Sequence, residues 1–127
     1  MIARRFLVRL AAGAAAMLAL GGQTPMTRPG DAAPKAVTLV AREFLYEPPE
    51  ATAKAGDVTF VVKNAGAIEH NFVLQDAAQK KVAEIAVIEP GATAEVNGTV
   101  APGTYLIVCS LPGHRQAGMI ATLKVAQ

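Results

Sequence analysis

Four side chains in this sequence have types and spacings that could do chemistry together: His70, Cys109, His114 and Met119. The 127 residues contain 2 histidines and 1 cysteine in all, and of the 4 methionines only Met119 lies beyond residue 32. The last three of the set read Cys-x4-His-x4-Met within Tyr105–Met119. Two imidazoles, a thiolate and a thioether are the donor set of a mononuclear copper electron-transfer site. Thiolate favours Cu(I), imidazole suits both oxidation states, and a distant thioether adds a weak axial contact. In such a site Cys109 is the strong in-plane ligand, His70 and His114 complete a trigonal plane, and Met119 sits on the axis.

Taken singly, each residue has a blander reading. A solitary His is usually exposed or structural, a Met ahead of an apolar strand usually fills the core, and a buried free Cys behaves as a small hydrophobe. The joint spacing outweighs these readings, because one pattern uses every His and every soft sulfur of one domain. Zinc is the rival metal, since two His and one Cys can bind it. Structural zinc sites, however, show closely spaced pairs such as Cys-x2-Cys, and none occurs here.

The elements that must carry these residues are strands. Beyond Lys35 no long helical period and no repeat occurs. Short Val/Ile/Thr/Phe-rich runs alternate with turn signals, the all-β pattern. Strands are expected over Val37–Phe44, Thr52–Lys54, Val58–Asn64, Asn71–Leu74, Val82–Ile88, Thr93–Val100, Thr104–Cys109 and Ile120–Val125. Asp76–Lys81 reads as a loop or a single helical turn. Seven or eight such strands predict an all-β, two-sheet Greek-key β-sandwich. Cys109 then ends one strand and Met119 precedes the next, with Pro112 and Gly113 shaping the loop between them. His70 lies near a strand start after the Asn64–Gly66 turn, where it can reach the same pole.

Residues 1–32 are not domain-like. Arg4, Arg5 and Arg9 flank an apolar run from Leu10 to Gly22, followed by a polar, Pro/Gly-bearing stretch. This predicts a secretory signal peptide and linker over 1–32 and a copper-binding domain over 33–127. The apolar run is shorter than the roughly 20 residues that span a bilayer, so membrane contact is expected only if the leader stays uncleaved. Ala19-Leu20-Gly21 and Gly30-Asp31-Ala32 both offer small residues for cleavage. Arg4-Arg5 gives a weak twin-arginine signal beside the general secretory one. No Cys follows the apolar run, which excludes a lipoprotein anchor.

The net charge of +2 for the whole chain misleads. From Ala33 onward there are eight Lys/Arg against nine Asp/Glu, a net of −1. Nucleic-acid binding needs a basic stripe on the folded domain and is not expected. Enzymatic activity is not expected either. Multicopper oxidases and nitrite reductases need further coppers and further histidines, and a four-ligand site leaves no open position for substrate.

The sequence resembles the cupredoxins, the small type 1 blue-copper proteins. The matching stretches are Ala55–Asn64, Glu69–Phe72, Pro102–Tyr105 and Cys109–Met119, covering nearly all of the domain. The two four-residue gaps are most like those of auracyanins and rusticyanins; plastocyanins have a shorter Cys–His gap and azurins a shorter His–Met gap. The resemblance implies ligand roles for His70, Cys109, His114 and Met119. It further implies that Asn71 ties the ligand strands together near the thiolate, with Ser110 as its small hydroxyl partner; such outer contacts orient ligands and tune the metal. Glu69 stands where azurins have Gly before the first ligand, and Arg115 puts a charge beside His114. The expected function is that of an exported, periplasmic or extracytoplasmic electron shuttle holding one Cu(I)/Cu(II), monomeric, with transient redox-protein partners and no substrate. The alternative is a copper-buffering or copper-delivery protein using the same site. A metal-free sandwich used for adhesion is a third, less suited to a chain with no Trp and 5% aromatic residues.

Overall fold

The structure is a computed structural model that describes Gly21, Gly22 and residues 35–127. The expected signal peptide and linker over 1–32 fall, those two glycines apart, outside the described residues.

The described chain forms nine strands: β1 (Lys35–Arg42), β2 (Leu45–Glu47), β3 (Glu50–Lys54), β4 (Gly56–Asn64), β5 (His70–Gln75), β6 (Lys81–Ile88), β7 (Thr93–Val100), β8 (Gly103–Val108) and β9 (Ile120–Ala126). They build a β-sandwich of two mixed sheets, ordered β2-β1-β4-β7 and β3-β9-β8-β5-β6. The pairs β1–β4 and β3–β9 are parallel, and the other pairings are antiparallel. This is the expected fold class with one strand more than the sequence suggested.

Alternation explains the sheets. On β4, Val58, Phe60 and Val62 are buried while the residues between them are less so, and on β1 Val37, Leu39 and Ala41 do the same. Successive strand residues point to opposite faces, so this period of two gives each strand one core side. The opposing sheet supplies Phe72, Leu74, Ile107, Ala121 and Leu123, all buried. Phe60 and Phe72 meet across the interface with ring centroids 5.3 Å apart. Outward positions carry polar pairs instead, such as Thr59 Oγ1 donating to Asn97 Oδ1 at 2.8 Å.

The extra strand comes from a break that the sequence hides. Val37–Phe44 was expected to run as one strand. The chain instead turns at Glu43-Phe44, so that Arg42 pairs with Leu45 and Ala41 with Tyr46. Two-residue hairpin turns favour Asn-Gly or Asp-Gly, which accept positive φ without strain. Phe44 adopts φ 63° all the same. Between β5 and β6, the chain from Asp76 to Lys80 is a loop rather than a helical turn. Asp76 Oδ1 accepts from the amides of Ala78 and Lys80, at 2.9 Å each.

Candidate metal centre

The site is assembled at one pole by β5, the loop after β8, and two turns beneath them. His70 opens β5 and is fully buried. Its position is set by Asn64, the last residue of β4 and itself fully buried. Asn64 Nδ2 donates to the carbonyls of Ile68 and Ile88 at 2.8 Å each, and its Oδ1 accepts from the Gly66 amide at 2.9 Å. One amide side chain thus ties the 65–69 turn to the end of β6. Without it the buried Ile88 carbonyl would lose its donor, at ~1–3 kcal/mol.

Cys109 follows directly on β8 and is also fully buried. The chain then doubles back in a loop closed by its own backbone. His114 N–H donates to Leu111 O at 3.1 Å, Met119 N–H to His114 O at 3.1 Å, and Cys109 N–H to Met119 O at 3.2 Å. Gly113 and Gly118 take φ of 82° and 104°, the left-handed region that a side chain would strain. The loop is locked to β5 by a reciprocal pair: Asn71 Nδ2 donates to Ser110 Oγ at 2.7 Å, and the Ser110 amide donates to Asn71 Oδ1 at 2.8 Å. This is the tie that the resemblance implied for Asn71 and Ser110. Tyr46 adds a second one, its hydroxyl donating to Asn71 O at 2.5 Å. Burial, reinforced by the nearby Cys109 sulfur, pushes the Tyr46 phenol far above its ordinary range, so it stays a neutral donor.

These constraints bring His70, Cys109 and His114 together, with one donor atom from each within 4.8 Å of the others. His70 Nδ1 and His114 Nδ1 face each other at 3.3 Å, and His114 Nδ1 lies 3.4 Å from Cys109 Sγ. Donors sharing one ion through bonds of about 2.0–2.3 Å stand roughly 3.3–3.8 Å apart. The spacing therefore fits a single metal ion, and two imidazoles with one thiolate fit copper. Met119 lies fully buried in the same core cluster as Cys109. His114, unlike His70, is only partly buried. Burial, with the His114 ring beside it and only partly offset by Glu43, lowers the His70 pKa from its ordinary value and favours the neutral imidazole.

Two side chains that the sequence reading passed over also touch the site. Phe44 presents its ring edge-on to His114, with centroids 5.4 Å apart and planes at 84°. Glu43 Oε1 accepts from the Ala67 amide at 2.5 Å and lies 3.8 Å from His70 Nε2. That backbone hydrogen bond, before any other cause, holds the Glu43 carboxyl below its ordinary value. Neither residue carries a signal in the sequence: an exposed Glu and the last apolar residue of an expected strand look ordinary.

A two-sheet sandwich with a Cys–His–Met loop folded over one pole and a second His beneath it defines a cupredoxin. The family model described as the cupredoxin-like domain matches residues 9–121, and the chain belongs to that family. Its cofactor is one type 1 copper ion. The chain is similar to the copper-resistant cuproprotein CopI of Rubrivivax gelatinosus, with 33% identity over 80% of this chain and 74% of the relative. In fold it is similar to the dithionite-reduced auracyanin of Roseiflexus castenholzii, with TM-score 0.68, 23% identity, and coverage of 76% of this chain and 100% of the other. It is also similar to auracyanin A, a blue copper protein of Chloroflexus aurantiacus, with TM-score 0.65, 26% identity, and coverage of 73% and 99%.

Proposed function

We propose that this chain is an exported, non-enzymatic carrier of single electrons, in which His70 Nδ1, Cys109 Sγ and His114 Nδ1 would hold one copper ion, with Met119 as the fourth ligand. The observation that carries the reading is the convergence of three donors within 4.8 Å of one another, of which only His114 is partly exposed. Copper bound there supplies one-electron chemistry between Cu(II) and Cu(I). The protein's part is to hold the donors still and keep water out. The closed loop, the Asn71–Ser110 pair and the Asn64 tie fix each donor independently of the ion, which suits a site whose geometry should change little between oxidation states. Burial of His70, Cys109 and Met119 leaves His114 as the ligand through which an electron leaves or enters.

The surface around His114 supports that exit. Ile68, Leu111 and Pro112 line a groove with it, together with the carboxylates Glu69 and Glu89, and Phe44 and Ile68 are 43% and 40% exposed. A rim that mixes apolar side chains with two carboxylates suits brief, small-area docking with a redox partner. Arg115, next along the loop, adds a charge that could discriminate between partners. Both of the chain's histidines are committed to this one site, leaving none for a second, catalytic copper. Export rests on the basic, apolar and small-residue pattern over 1–32, which proposes the domain as 33–127.

The second reading, copper buffering or delivery from the same site, is favoured by the name of the CopI relative, a copper-resistant cuproprotein. Redox cycling separates the two. A carrier is expected to bleach on reduction and recover fully on reoxidation, following a one-electron Nernst curve of about 59 mV per decade, with copper retained through repeated cycles against a Cu(I) chelator. Prompt loss of Cu(I) to the chelator would favour the buffer.

A further inference from the structure

His70 has two ring nitrogens, and only one faces the donor cluster. Its Nδ1 points to His114, while Nε2 is buried and has no hydrogen-bond partner. Once Nδ1 is committed to a metal, the proton of the neutral imidazole must sit on Nε2. A buried N–H without an acceptor costs ~1–3 kcal/mol. The carboxylate that faces it is Glu43, at 3.8 Å.

Glu43 is aimed there by its surroundings. The Ala67 amide donates to its Oε1, and Ala65 N–H donates to Ala41 O at 2.9 Å, so the end of β1 and the 65–67 turn are stitched side by side. Gly66 leaves the space: a Cβ there would collide with the Glu43 carboxylate and come within 3.0 Å of His70 Nε2. The neighbouring Phe44 holds φ 63°, a conformation that costs a bulky residue about 1–3 kcal/mol and persists only where the surroundings impose it. That strained turn sends one side chain to each imidazole, Glu43 to His70 and Phe44 to His114.

We infer that the Glu43-Phe44 turn is a clamp on both imidazoles, in which Glu43 is the positioning residue that accepts the His70 Nε2 proton and Phe44 packs the His114 ring in place. This rests on the reading of His70 as a ligand through Nδ1. A carboxylate accepting the outer N–H makes the imidazole a stronger donor. The better donor favours Cu(II) over Cu(I) and so lowers the reduction potential.

The test compares wild type, Glu43→Gln, Glu43→Ala and Glu69→Gln, all loaded with copper. Glu69 is exposed and adjacent to His70 in the chain, so its variant removes a nearby charge without touching Nε2. Glu43→Gln keeps an acceptor oxygen but loses the charge. It should weaken Cu(II) relative to Cu(I) about tenfold, an upward shift of about 59 mV for one electron. Glu43→Ala should shift at least as far, and Glu69→Gln less than half as far. In the diamagnetic Cu(I) form, the 15N-labelled His70 Nε2–H should exchange slowly in wild type and faster in Glu43→Ala. If wild type takes up Cu(II) without the thiolate colour, the ligand reading fails first. If all variants are coloured but Glu69→Gln matches Glu43→Gln, or the Nε2–H is unchanged in Glu43→Ala, Glu43 is only a surface charge and the inference is overturned.

Discussion

Cys109→Ser is expected to abolish the intense visible colour of the copper-loaded protein. The colour of a type 1 site comes from charge transfer between the thiolate sulfur and Cu(II), and a serine hydroxyl at neutral pH is neither soft nor ionised. Cys109 is the only cysteine of the chain, is fully buried, and has its sulfur against His114 Nδ1, so no other thiolate can take its place. Because Ser is nearly isosteric and the Asn71–Ser110 pair is untouched, the apo fold should survive. Loss of colour in a folded variant therefore reports the ligand. Colour equal to wild type in that variant would remove Cys109 from the site.

The largest effect on stability is expected at Phe60. Its side chain is fully buried in the middle of β4, between Val37 and Val96 as strand partners and 5.3 Å from Phe72 across the sheets. Phe60→Ala removes most of that side chain and leaves a cavity that surrounding strands fill only in part, at a cost of about 3–5 kcal/mol. A domain of this size is stable by roughly 5–15 kcal/mol, so the apo variant should be close to unfolding at body temperature. Calorimetry should show Tm lower by on the order of 20 °C. Copper should restore much of the loss, since a ligand at 1,000 times its Kd stabilises the folded state by about 4 kcal/mol. A drop of under about 1 kcal/mol would mean that the two sheets do not depend on this contact.

The sandwich was legible because period-two alternation is a local signal. Val58, Phe60 and Val62 announce β4 and its core face, and the turns expected at Ala55–Asp57 and Ala101–Gly103 fall at the starts of β4 and β8, which take in Gly56, Asp57 and Gly103. The β1–β2 hairpin was not legible. Its turn is Glu43-Phe44, a pair with no turn chemistry of its own, held in place by what its side chains reach. Asn64 shows a second limit. In sequence it reads as punctuation before Gly66, whereas in the fold it is the buried tie under His70. The candidate donors were readable from residue type and from the spacing in one loop, but the proximity of His70 to His114, 44 positions apart, exists only in three dimensions. The Asn71–Ser110 pair was reachable through resemblance alone. Glu43 was not reachable at all, because its role depends on the side chain that Gly66 lacks.

X-ray absorption at the copper edge, recorded on the same preparation loaded with one equivalent of copper and then reduced, is the most direct measurement of the proposed centre. The expected nearest shell is two imidazole nitrogens and one short thiolate sulfur, from His70, His114 and Cys109, nearly unchanged between Cu(II) and Cu(I). A shell of oxygens, or one that loses an imidazole or the thiolate on reduction, would contradict a single preformed electron-transfer site.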